Sequence, residues 1–180
     1  MNPWLTIWTK TSKTIDYLKD SSWGDSFGII PFTLFGINSI GVKLMLSFSG
    51  SPVFGMVITI VLGFAIGIIG GFVWTNILFL FGKIWKGQST RPNIKTVLAL
   101  ALIPEIFRFI NLIGSSIVNH EDPTKVTIND GLELICIILG FRIIIIGLSR
   151  VQHFSFGFAV LNVFTPQLII GAFYMFIKGI

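Results

Sequence analysis

The chain has 180 residues, of which 53% are hydrophobic and 12% are charged, whereas a soluble domain carries about 25% charged residues. A soluble domain of this length could not cover so much apolar surface with so few charges. The composition therefore excludes a soluble domain and predicts a chain surrounded by lipid. The 13 Lys and Arg residues outnumber the 8 Asp and Glu residues. In a membrane protein this excess indicates which loops face the cytoplasm, and it does not call for a nucleic-acid partner.

The first 26 residues combine tryptophans with lysines, and they are predicted to form a cytoplasmic region. Asn2 can cap a helix that begins at Pro3. On a helix over residues 3–19 the tryptophans lie on one face and the lysines turn away, which predicts an amphipathic helix lying along the inner leaflet. The alternative is that both tryptophans dock into the helical bundle, since amphipathic patterns fit lipid and protein equally. The predicted membrane-interface residues are Trp4, Trp8, Lys10 and Lys13.

Five apolar segments follow, each close to the length of about 20 residues that a spanning helix needs. They predict an all-α fold: a polytopic membrane bundle of five transmembrane helices that occupies residues 27–180 and leaves no room for a soluble domain. The predicted spans are 27–48, 53–81, 96–118, 131–148 and 154–177.

The connecting segments differ in charge, and this difference predicts the orientation. The segment between the second and third spans contains Lys83, Lys86, Arg91 and Lys95 with no acidic residue, whereas residues 119–130 are mainly acidic. Because Lys and Arg are retained in the cytoplasm, the N-terminus is predicted inside and the C-terminus outside. An odd number of spans requires the two termini to lie on opposite sides of the membrane, so the number of spans and the charge distribution agree.

Three stretches of the sequence resemble the bacterial branch of the Yip family: NPWLTIWTK at the N-terminus, GKIWKGQSTRPNIKTVLALALIP, and GLSRVQHFSFGFAVLNV. These are multispanning membrane proteins named for eukaryotic members that interact with Ypt/Rab GTPases. The resemblance implies a five-helix integral membrane domain with a cytoplasmic N-terminus, in a bacterial cytoplasmic membrane.

The second predicted span carries small residues at every fourth position, and this spacing forms a continuous ridge on a helix. Helices in lipid associate through close backbone contact, which such a ridge permits. Packing within the bundle is the preferred interpretation, and a homodimer face is the alternative. The glycines of this ridge are Gly55, Gly63, Gly67 and Gly71.

Four of the predicted spans place polar residues at a similar depth in the cytoplasmic half of the membrane. A charge in the bilayer costs at least about 2.5–3.5 kcal/mol, so these side chains should face inward and find partners. If they converge, one carboxylate faces two guanidinium groups, which predicts a site for an anionic lipid or another anionic ligand. The preferred interpretation, however, is structural: Glu105 pairs with one arginine, while the other snorkels to the membrane surface or binds main-chain carbonyls. The residues are Glu105, Arg108, Arg142, Asn76 and Asn162.

Pro104 precedes this cluster in the third predicted span, and it removes one backbone hydrogen bond. The helix is therefore predicted to kink near Leu100.

No arrangement of residues predicts catalysis. His120 and His153 fall on opposite sides of the membrane in the predicted topology, and no metal-ligand spacing is present. We therefore expect a non-enzymatic protein without cofactor or metal, acting as a scaffold or accessory subunit of Yip type. Its expected partners are the lipid bilayer, including anionic lipid, and other membrane proteins or further copies of itself. The alternative is a transport subunit with an anionic ligand site.

Overall fold

The computed structural model describes residues 2–20, 27–47, 52–107 and 130–179, without the side chains of 41–47, 52, 130 and 133. Every regular element in these residues is a helix, which confirms the predicted all-α class. In chain order the helices are α1 (Pro3–Thr6), α2 (Thr11–Lys19), α3 (Ile29–Ser47), α4 (Pro52–Ile84), α5 (Arg91–Ala101), α6 (Asp130–Gln152) and α7 (Phe156–Lys178).

Three helices in the described part of the chain are long and apolar enough to cross a membrane: Val53–Ile84, Leu134–Gln152 and Phe156–Lys178. Only 22%, 33% and 17% of their most apolar windows are buried, so most of their apolar side chains face outward. Exposed apolar surface on this scale is typical of contact with lipid. Ile29–Ile40 is apolar but shorter.

Helix α5 lies at the centre of the bundle, and it contacts α2, α3, α4 and α6. Its residues from Val97 to Ala101 are all buried. Helix α6 crosses it closely, because Gly147 lies against the Val97 side chain and Gly140 lies against the Ala101 carbonyl.

The third predicted span has different bounds in the structure. Its helix begins at Arg91, earlier than the expected start at residue 96, and ends at Ala101 with a turn at Leu102. Helical residues resume at 103–107. Pro104 lies just after the turn and has no N–H to donate to the carbonyl of Leu100, which explains an interruption here. Residues 108–118 of the predicted span lie outside the described residues.

The N-terminal segment contains two helices, whereas one was predicted over residues 3–19. The side chain of Asn2 accepts a hydrogen bond from the Trp4 N–H (3.1 Å), which confirms the predicted cap of a helix that begins at Pro3. That helix ends after one turn, and α2 starts beyond Lys10, whose backbone is not helical (φ −124°, ψ 44°).

The N-terminal segment and two of the connections lie at one end of the bundle. The Gln88 N–H, in the α4–α5 connection, donates to the carbonyl of Gln152 at the end of α6 (3.3 Å). Arg150, in the last turn of α6, pairs with Asp16 of α2. This end therefore gathers the segments that carry Lys83 to Lys95, which the sequence predicts to be cytoplasmic.

Candidate functional site

The two N-terminal tryptophans pack on the bundle. The ring centroids of Trp4 and Phe27 are 5.9 Å apart. Trp8 lies edge-on to Phe107, with ring centroids 5.2 Å apart. Both are partly buried against the hydrophobic core, so their packing corresponds to the docked arrangement. Lys10 and Lys13 remain exposed, and their contact with headgroups stays a prediction.

The glycine ridge of α4 faces α3 of the same chain. A Cβ added at Gly67 would overlap the carbonyl oxygen of Phe32, and one added at Gly63 would lie 2.5 Å from the Cα of Ile37. Gly71 lies against the ring of Phe32. Gly55 is also buried. The helices thus meet backbone to backbone within one chain, which is the close contact that helix association in lipid requires.

The polar residues of the predicted layer bind main-chain carbonyls. Asn76 Nδ2 donates to the Phe72 carbonyl of its own helix (2.8 Å). Asn162 is fully buried and its Nδ2 donates to the Leu78 carbonyl of α4 (3.3 Å). Arg142 is exposed, and its Nη1 donates to the Trp8 carbonyl (3.2 Å).

Two of these hydrogen bonds hold separate segments of the bundle together. Asn162 joins α7 to α4, and Arg142 holds the chain between α1 and α2 against α6. Glu105 is half-buried and engaged in an interaction. Arg108 lies outside the described residues, so the proposed convergence of all five residues stays a prediction.

An ion pair that sequence reasoning missed joins α2 to α6. Arg150 Nε and Nη2 donate to Asp16 Oδ1 and Oδ2 at 3.0 and 2.7 Å. These hydrogen bonds from Arg150 lower the pKa of the Asp16 carboxyl below 3.8; burial opposes the shift, and the charges of Arg150 and Lys19 add to it. No local spacing links residues 134 positions apart, so the sequence carries no signal for this pair.

The ends of α4 and α6 share a buried amide. The Gln152 side chain is 2% exposed, and its Oε1 occupies the space that a Cβ would need at Gly82 or Gly87. Gly87 N–H donates to the Gly82 carbonyl (2.7 Å) and Phe154 N–H to the Ser149 carbonyl (3.0 Å). Both helices therefore end in a Schellman motif. The glycines at 82 and 87 were the available sequence signal for the close approach of the Gln152 side chain.

No group of three or more His, Cys, Asp or Glu side chains in residues 2–20, 27–47, 52–107 and 130–179 is arranged to hold a metal ion.

Over the residues that the structure describes, the fold and these contacts define a class: an all-helical protein with three helices long and apolar enough to cross a membrane. Comparison of the chain with protein-family models, with characterised proteins and with solved structures finds no match.

Proposed function

We propose that this chain is a non-enzymatic integral membrane protein of Yip type, which acts as a scaffold or accessory subunit for other membrane proteins or lipids. Five spans in a bacterial cytoplasmic membrane, with the N-terminus inside, belong to the same proposal. The apolar helices support membrane insertion, and the three sequence stretches that resemble the Yip family support the type.

One observation carries the choice of a scaffold. Asn76, Arg142 and Asn162 each donate to a main-chain carbonyl. The bonds of Arg142 and Asn162 join separate segments of the bundle, whereas a transport pathway presents its polar groups to a water-filled cavity. The large outward-facing apolar surface of α4 and α7 then offers area for contact with lipid and with other membrane helices.

Affinity purification of the full chain in a mild detergent tests the proposal. We expect the same membrane proteins to be recovered in repeated preparations, in near-constant ratio to this chain and absent from a tag-only preparation. Recovery of the chain alone, together with solute uptake into proteoliposomes that Glu105→Gln abolishes, would support a transport subunit instead.

A further inference from the structure

An open cleft lies between α2, the end of α6 and the start of α7; it is called here the α2–α6–α7 cleft. Its volume is about 600 Å³, within the range of about 300–1,000 Å³ found for small-molecule sites. Its polar lining residues are Ser12, Asp16, Lys19, Ser149, Arg150 and His153.

The charges in this cleft favour an anion. Asp16 binds Arg150 through Nε and Nη2 and so fixes the plane of the guanidinium group. The Nη1 edge of that planar group points away from the carboxylate, and 52% of the Arg150 side chain is exposed. Lys19 adds a second cation to the lining. Two cationic side chains against one carboxylate leave a positive site, and guanidinium groups suit phosphate oxygens.

The remaining lining of the cleft is apolar and lies where two candidate spans meet. It consists of Ile146, Phe154 and Phe156. One span ends at Gln152 and the next begins at Phe156, so in a membrane this cleft lies at the boundary between hydrocarbon and water. A ligand that fits both linings has an anionic group joined to an apolar part.

We propose that the α2–α6–α7 cleft binds the phosphate group of a phospholipid headgroup. Arg150 and Lys19 donate to the phosphate oxygens, and Phe156 contacts the glycerol and the first acyl carbons. This inference rests on the proposed function as an integral membrane protein. Inorganic phosphate carries the same charge but has no apolar part, so it should bind much more weakly.

Thermal unfolding of the full chain in a neutral detergent, titrated with phosphatidylglycerol, tests the site. We expect the anionic lipid to raise Tm more than phosphatidylcholine, whose choline group cancels the phosphate charge, and more than inorganic phosphate. Lys19→Gln should weaken the apparent affinity for phosphatidylglycerol roughly fivefold, because it removes one of two cations. The Lys19 side chain is exposed, so the variant should fold.

Lys13→Gln is the matched control, because Lys13 is exposed on the same helix and does not line the cleft. Equal losses of affinity in the two variants would show general attraction to basic protein and would overturn the proposal. Absence of any stabilisation by phosphatidylglycerol would overturn it too, and equal stabilisation by inorganic phosphate would assign the cleft to a soluble anion. None of these outcomes affects the co-purification of membrane proteins, so a failure here is separate from a failure of the proposed function.

Discussion

Single residues decide how closely the helices approach, and Gly67 is the clearest case. A Cβ at this position meets the backbone carbonyl of Phe32, which cannot move aside as a flexible side chain can. Gly67→Ala should therefore force α3 and α4 apart and destabilise the protein by about 1–3 kcal/mol, seen as a lower Tm in detergent.

Gly70→Ala is the control for this change, since nothing lies within 4 Å of a Cβ added at Gly70. This variant should unfold near the wild-type temperature. Wild-type Tm in Gly67→Ala, combined with loss of self-association, would instead assign the ridge to a homodimer face.

The Asp16–Arg150 ion pair predicts that the stability of the protein depends on pH. The folded-state pKa of Asp16 lies below 3.8, its ordinary value, so the pair contributes stability that is present above pH 3.8 and is lost as the pH falls through the folded-state pKa. Asp16→Asn should lower Tm slightly near pH 6, because the pair is exposed and screened by water. The two proteins should converge as the pH falls through the folded-state pKa of Asp16.

Asp20→Asn provides the comparison, as Asp20 is an exposed acid at the end of the same helix. A Tm difference between wild type and Asp16→Asn that does not shrink at any pH below 3.8 would contradict the assignment of this stability to the ion pair.

At the scale of the element, α2 belongs to the bundle and is more than a surface anchor. Leu18 is fully buried, whereas Leu5 of α1 is 67% exposed. Leu18→Ala should cost about 2–5 kcal/mol, the usual loss for a large-to-small change in a core. Leu5→Ala removes the same atoms and should change Tm little. Thermal unfolding in detergent distinguishes a helix packed in the bundle from a helix on the lipid surface. Equal and small losses of Tm in the two variants would indicate that α2 lies on the lipid surface.

Local signals of the sequence correctly predicted local structure. The cap at Asn2 and the helical class follow from residues close together in the chain, and the apolar length of α4 follows from composition. The amphipathic pattern of residues 3–19 could not show whether bundle or lipid covers the apolar face, nor that the helix breaks near Lys10. The contacts of Arg142 and Arg150 join distant segments, so no spacing rule could reveal them.

For the whole molecule, the shared end of the bundle predicts a labelling pattern. The α4–α5 and α6–α7 connections are joined by the Gln88–Gln152 hydrogen bond, so cysteines placed at Gln88 and at His153 should react from the same side of the membrane. A cysteine at Lys178, at the far end of α7, should react from the other side. The native Cys136 is buried and is replaced by Ser to remove background.

An impermeant maleimide applied to intact cells makes this measurement. With the N-terminus inside, it should label position 178 and leave positions 88 and 153 unlabelled until the cells are opened. Labelling of 88 and 153 on opposite sides would contradict the packing of the two connections, and labelling of both in intact cells would reverse the proposed orientation.

The contacts that hold the N-terminal segment also order events during synthesis. Trp8 and Asp16 are synthesised earlier than Arg142 and Arg150. The two arginines, which donate hydrogen bonds to them, each follow 134 residues later. Until α6 leaves the ribosome, α1 and α2 lack these two partners. The contacts of residues 2–20 with the bundle can therefore be completed only after α6 has been synthesised.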